Sequence, residues 1–441
     1  MTEPQKAPDE GGRDHSLDAL RGILMLVGVF VHVATLGVDP VFDGIARASS
    51  LFRMEAFFVI SGFLSAMLVA KHGAVRTMRR RFAAVGIPLL ATLVLVNPPT
   101  LWMISVFHGR ETSFPDYLRA AAGPALTGRL NWYLHLWFLL VLLGFALLTP
   151  AAVRALAALT RTRGYQRVTA GRPAAMTALT LSVLAVMAAG RTCWSVAIEP
   201  VLGSGFHADI VRRVLEFLPF FLLGLLLRLD QARLLPVFRR PTPALFAVSG
   251  LLLLASWRQW VDVLSAGTGR LLVETLFAIP VTATLFAVAG RFGARPHPVF
   301  QYLSDASYTV YLFHFFWIFF FARVLGLDPG LGFGQMTLLV VATYAATFAT
   351  HHFAIRRSAL LRMMFNGRRA TTRGRGVAGQ GSGPTPEHPG PPALAAPGKP
   401  GLPRPARPVT SNPRSTRIAR CSASPRLPHH RRTTRPARRG G

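Results

Sequence analysis

The stretch SLDALRGILMLVGVFVH, residues 16–32, decides what kind of chain this is. It is apolar enough to enter hydrocarbon, yet it holds Asp18, Arg21 and His32. A charge at the centre of a membrane helix costs roughly 2.5–3.5 kcal/mol on insertion scales, so such residues face protein or water and commonly serve function. Arg21 and His32 are eleven residues apart. On a helix that separation is only ~20° past three turns and ~16 Å along the axis, so both share one face. That face offers a cation near one membrane surface and a titratable base deeper in. A packed or interfacial histidine is the competing reading of His32.

The rest of the chain agrees with a membrane bundle. Of 441 residues, 51% are hydrophobic and 15% charged, and mean hydropathy is +0.38. Soluble domains carry about 25% charged residues, so an ordinary soluble enzyme is excluded. The 31 Phe and 7 Trp exclude disorder throughout. Cys193 and Cys421 are too far apart in sequence for a disulfide scaffold. The net charge of +30 divides unevenly: residues 366–441 contribute 16 basic residues and one acidic residue, Glu387. This Pro-, Gly- and Arg-rich stretch has too little apolar surface to offset chain ordering, and we read it as a disordered basic cytoplasmic tail without a specific nucleic-acid partner.

A spanning helix needs about 20 mostly apolar residues. Ten stretches qualify: 17–37, 51–70, 83–107, 132–150, 174–194, 214–229, 244–261, 271–290, 307–325 and 333–355. The expected fold is therefore all-α, a polytopic membrane bundle of about ten transmembrane helices. Its parts are a cytoplasmic segment 1–16, a membrane domain 17–365 and the tail 366–441. The first apolar block reads as a retained helix and not a cleaved signal. With the N-terminus in the cytoplasm, the inside segments hold 18 Lys or Arg against 11 outside. The positive-inside rule then places both termini on the cytoplasmic face of the inner (plasma) membrane, with lipid as a surrounding partner.

Further polar residues stand out within the spans. Ser61 and Gly62 permit close helix approach. The loop after them holds Arg76, Arg79, Arg80 and Arg81, which serve as topology signals or as a phosphate clamp. His135 and Trp137 open the fourth span after a segment with Trp132 and Tyr133, a placement that suits an aromatic belt at the interface. Ser307, Tyr308, Tyr311 and His314 fall at spacings of 3 and 4, on one helical stripe. That stripe reads either as a cavity lining or as a structural hydrogen-bond network. There is no Gly-rich phosphate loop, no metal-ligand cluster and no Ser-centred elbow. We expect no bound metal or cofactor.

Taken together, Ser16–Gly22 leading to His32, FFVISGF at 57–63, the basic loop before Pro88, HLWFL at 135–139 and SYTVYLFH at 307–314 resemble the membrane acyltransferase-3 family. The phrasing LDALRGILMLVGVFVH and FRMEAFFVISGF is most similar to its glucan succinyltransferase branch. One departure is visible. The family often has a second arginine a turn before the proline of the third helix, and Val85 stands there.

The resemblance implies acyl transfer from a cytoplasmic acyl-CoA donor to a hydroxyl of a sugar or cell-envelope glycan. It implies His32 as general base taking the acceptor proton directly, with a covalent acyl-histidine relay as the alternative, and Arg21 and Arg81 as donor contacts. Ser61, His135, Trp137, Tyr311 and His314 would line the substrate cavity, the last two as hydrogen-bond donors. Glu55 or Asp43 would orient the imidazole. A multi-pass transporter or flippase of a glycan or lipid-linked precursor is the alternative. It predicts Gly/Pro-broken helices in corresponding halves, and no such pairing is visible.

Overall fold

The computed structural model describes residues 15–121, 132–203, 205–239, 243–258, 260, 268–292 and 297–367. The basic tail, apart from Asn366 and Gly367, and most of the N-terminal segment lie outside the described residues. Within them the chain is helical, with no strand beyond one parallel bridge between Gly37 and Leu331. The α-helices are α1 (His15–Ala34), α2 (Pro40–Ser50), α3 (Arg53–His72), α4 (Ala74–Leu95), α5 (Asn97–Phe107), α6 (Phe114–Ala121), α7 (Trp137–Thr160), α8 (Arg163–Val168), α9 (Arg172–Cys193), α10 (Glu199–Leu202), α11 (Phe206–Leu229), α12 (Gln231–Arg239), α13 (Pro243–Trp257), α14 (Thr268–Phe292), α15 (Pro298–Val324), α16 (Phe333–Ala349) and α17 (Ala359–Asn366).

Six stretches of these helices are long and apolar enough to cross a membrane. A seventh is counted if α4 and α5 form one broken span, bent by 48°. The expected continuous span 83–107 is thus two helices. Asn97-Pro98-Pro99 explains the break, because two successive prolines remove two ladder donors and clash with the preceding turn. A second difference lies before α3. Residues 40–50, read from sequence as part of an outside loop, form α2. Asp39 caps it by accepting from the Val41 and Phe42 amides at 2.9 and 3.1 Å, and Pro40 occupies its first turn. Gly73 ends α3 with φ +78 and donates its N–H to Val69 O at 2.8 Å.

Two contacts fix the frame on which polar residues are carried. The first is between α1 and α15. A Cβ on Gly22 would stand 3.3 Å from the Leu303 carbonyl carbon, so the backbones approach closely. The loops leaving both helices bond to each other, with Leu331 N donating to Leu36 O at 3.2 Å and Val38 N to Leu331 O at 3.3 Å. The two helices therefore end on the same side and run parallel. The Tyr344 hydroxyl of α16 donates to Leu26 O at 2.7 Å and holds α1 from another direction.

The second contact is the crossing of α3 and α11. A Cβ on Gly62 would collide with the Phe221 carbonyl oxygen, and one on Gly224 with the Val59 carbonyl oxygen. The two glycines face each other's backbone, the small-residue packing expected where helices cannot rely on a hydrophobic driving force. On the side facing the loops, Tyr165 donates to Asp230 at 2.9 Å. Burial, that bond and the carboxylate charge push its phenol above the ordinary range.

Gly62→Ala and Gly224→Ala are each expected to lower stability by roughly 1–3 kcal/mol through overpacking. Thermal unfolding in detergent should show a lower midpoint for both. Gly86→Ala, where a Cβ meets open space, should leave the midpoint unchanged or raise it.

Candidate active site

Three imidazoles gather around Phe315. The His135 ring stacks on it with centroids 4.6 Å apart and planes 4° apart. His32 meets the same ring at 4.5 Å and His314 at 5.1 Å. His314 lies between the other two, 5.2 Å from His32 and 4.7 Å from His135. Three elements supply them. His32 comes from the last turns of α1, and His314 and Phe315 from the middle of α15. His135 comes from the short 3₁₀ turn Leu134–Leu136 that precedes α7. That turn is held by Asn97 at the α4–α5 break, whose Nδ2 donates to Trp132 O at 2.9 Å. It contains Leu134 at φ +46, a left-handed conformation that costs a non-glycine residue about 1–2 kcal/mol.

Hydrogen bonds set the roles of these rings. His314 Nδ1 lies 3.0 Å from Val310 O and 2.8 Å from Tyr311 O. Both partners only accept, so Nδ1 carries the proton and Nε2 presents a lone pair. Nε2 is buried with no partner. Both ring nitrogens of His135 are likewise buried without a hydrogen-bond partner, as is the Tyr308 hydroxyl. Buried polar groups are usually satisfied by protein or by ordered water, so these atoms are open to a further partner. His32 is partly buried, whereas His135 and His314 are buried.

A second group sits toward the start of α1. Arg21 Nη2 lies 3.5 Å from Ser304 Oγ on α15. Arg81 of α4 donates from Nη1 to Ser61 Oγ and from Nη2 to Ser61 O, both at 3.3 Å. The charge of Arg21 acts on Arg81 and on Tyr308. Tyr308 stacks parallel to Tyr311 at 6.4 Å, and Tyr311 meets His135 at 5.1 Å. One stripe of α15, from Ser304 through Tyr308 and Tyr311 to His314, therefore runs from the guanidiniums to the imidazoles.

The structure thus brings His32, His135, Tyr311 and His314 together, and Arg21, Arg81 and Ser61 together. It does not bring Trp137 to either group. Trp137 lies under the Arg213 guanidinium at 4.4 Å and against Phe217 at 5.7 Å, facing α11. The expected donor roles of Tyr311 and His314 also change. The Tyr311 hydroxyl donates to His135 O at 2.7 Å and His314 Nδ1 bonds its own turn, so both donors already have backbone partners. Ser307 likewise turns inward to Ser304 O at 2.7 Å. The charged group that acts on His32 is Arg53, which sequence reasoning does not single out. Its signal is a charged residue directly before the apolar run MEAFFVISGF. Among the described residues no group of three His, Cys, Asp or Glu side chains is arranged to hold a metal ion.

On the other side of the 132–136 turn is an open cleft of about 440 Å³. Trp194, Glu199, Asp209 and Arg212 are among its walls. Asp209 accepts from Tyr133 Oη at 2.8 Å, Arg213 Nε at 2.8 Å and Arg212 Nη2 at 3.0 Å. The same turn therefore reaches the cleft through Tyr133 and the imidazoles through His135.

The sequence pattern of an acyltransferase domain, that of the acyltransferase-3 family, matches residues 14–352. Glucans biosynthesis protein C of Escherichia coli strain K12 is 29% identical over 238 residues, 50% of this chain and 59% of that protein. The proteins of the same name in Salmonella paratyphi B and Salmonella schwarzengrund are 29% identical over 235 and 232 residues, 48% of this chain and 58% of theirs. The chain thus spans less than two thirds of the length of these curated relatives. No solved structure matches it.

Tyr311→Phe leaves the buried His135 carbonyl without its donor, a loss of about 1–3 kcal/mol. The variant is expected to unfold at a lower temperature than the wild type in detergent. An unchanged midpoint would mean that this bond does not hold the 134–136 turn in place.

Proposed function

The chain belongs to the acyltransferase-3 family, and from that premise we propose that it moves an acyl group from a coenzyme A thioester to a hydroxyl of a sugar or cell-envelope glycan. The observation that supports this reading best is the single stripe of α15 joining a guanidinium pair at one end of α1 to the His32 imidazole at the other. A thioester is already activated, so the remaining tasks are to hold the donor, deprotonate the acceptor and stabilise the charge that develops.

The donor enters from the cytoplasmic side. Arg21 and Arg81, fixed by Ser304 and Ser61, meet its phosphate or carboxylate groups, for which the guanidinium fork is geometrically suited. Two like charges within each other's reach favour an anion between them. The thioester arm lies along Tyr308 and Tyr311 and brings the acyl carbon to His32. Neutral His32 takes the proton of the acceptor hydroxyl as that oxygen attacks, in a direct transfer. The cleft beside Asp209 gives a hydroxyl-rich acceptor a polar approach from the opposite face. In this reading ten helices span the inner membrane and both termini are cytoplasmic. The sixth, seventh and eighth spans are α11, α13 and α14.

His32→Ala is expected to abolish transfer of label from acyl-CoA in proteoliposomes without lowering the amount of protein in the membrane. Wild-type transfer by that variant would overturn the assignment. Glycan movement across the bilayer without consumption of acyl-CoA would replace the reading by a transporter. Arg21→Gln is expected to raise KM for acyl-CoA by about tenfold, the loss of one charge-assisted contact, while KM for the acceptor stays unchanged.

A further inference from the structure

The bundle holds one more cation at the histidine centre. Arg53 is the first residue of α3. Its Nη1 lies 3.1 Å, and its Cζ 4.0 Å, from where a Cβ on Gly28 would stand. Gly28 precedes His32 by four residues, which is ~6 Å along the helix and ~40° around it. The guanidinium therefore sits on the face of α1 that carries His32, in space that a glycine leaves open. Its charge acts on both His32 and His314. The Arg53 Nε is buried without a hydrogen-bond partner. Among the described residues no carboxylate pairs with it at salt-bridge distance, although the Glu55 charge acts on it from the same helical turn. With no salt bridge to occupy it among the described residues, the guanidinium fork beside His32 is open to negative charge that arrives during turnover.

We propose that Arg53 is a catalytic residue that donates hydrogen bonds to the oxyanion formed when the acceptor hydroxyl adds to the thioester carbonyl beside His32. This rests on the acyl-transfer reading above. In the addition, the hydroxyl oxygen bonds to the carbonyl carbon and its proton passes to His32. The carbonyl π pair moves onto the oxygen, where Arg53 meets it. Collapse restores the carbonyl and breaks the C–S bond, and the departing thiolate takes the proton from the imidazolium. The products are an ester and free coenzyme A thiol, and His32 is neutral again. A guanidinium suits the task because its N–H donors are fixed in a planar fork and keep their charge at every relevant pH. Gly28 is a positioning residue in this arrangement, since any side chain there would press on the guanidinium.

The test uses the full-length protein in proteoliposomes, with a neutral gluco-oligosaccharide acceptor and two donors. Acetyl-CoA carries a neutral acyl group and succinyl-CoA one with a carboxylate. Binding of a non-hydrolysable acyl-CoA thioether is measured alongside. Arg53→Gln is expected to lose about 10²-fold in kcat, the scale of one oxyanion donor. The loss should appear with every donor the wild type uses, and thioether binding should be unchanged. Arg53→Lys should recover part of the rate. Gly28→Ala should lower kcat by roughly tenfold through the displaced guanidinium, and it decides the matter if Arg53→Gln does not fold.

Wild-type kcat in these variants overturns the proposal. So does a loss seen only as weaker thioether binding, or one confined to succinyl-CoA when the wild type also uses acetyl-CoA, because Arg53 would then hold a resting group. His32→Ala separates the two levels. If His32 is essential while Arg53→Gln and Gly28→Ala turn over normally, only the role of Arg53 fails. If the wild type transfers no acyl group, the reading beneath it fails as well.

Discussion

Hydrocarbon offers no partner to a hydrogen-bonding group, so every polar side chain on α1 has to find its complement inside the bundle. The parallel packing of α1 on α15 supplies that complement along most of the helix. Gly22 lets the two backbones come close at the Arg21 end, where Arg21 reaches Ser304. At the other end, the bonds among Leu36, Val38 and Leu331 tie the exits of both helices together and keep His32 level with His314. Because the helices are parallel and in contact at both ends, a polar stripe on α15 lies beside the polar face of α1 from the guanidinium to the imidazole. Either helix alone would present costly groups to lipid. Packed together they enclose them.

The crossing of α3 and α11 does the same for the charges that approach from the far side. The α3 helix carries Arg53 at its first residue and Ser61 two turns later, and Ser61 holds Arg81. A single rigid helix therefore sets the distance between the cation near His32 and the cation near Arg21. Its position depends on Gly62 and Gly224, which let the α3 and α11 backbones touch. Stability and site geometry share one origin here. A side chain added at the crossing would displace both cations together.

The 132–136 turn joins the two halves of this arrangement. It is not a regular element, and it keeps Leu134 in a conformation that leucine avoids. The strain is offset by bonds at three points: Trp132 O to Asn97, Tyr133 Oη to Asp209 and His135 O to Tyr311. The result is a segment that faces an open polar cleft with one residue and an enclosed imidazole pair with another two positions on. Strained backbone of this kind, held at the edge of a buried polar cluster, is characteristic of functional sites.

The helical membrane class was legible in the sequence, because apolar length and the scarcity of charge are local properties that hydrocarbon reads directly. The shared face of Arg21 and His32 and the stripe Tyr308, Tyr311 and His314 were legible too, since helical periodicity fixes them before any tertiary contact forms. Three things were not. The α4–α5 break and the cap of α2 were written in Asn97-Pro98-Pro99 and Asp39-Pro40, but apolar runs on either side masked them. Trp137 and His135 are two residues apart in one motif, yet they face different helices. Their directions depend on a strained turn that no periodicity describes. Arg53 has no local pattern that points to His32, since α1 and α3 belong to different stretches of chain. What the sequence determined by itself was which faces of which helices are polar. Which of those faces meet, and that Arg53 stands beside His32, was decided only by the packing of α1 on α15 and the glycine that leaves room for Arg53, because contacts between distant stretches depend on shape complementarity across the whole bundle.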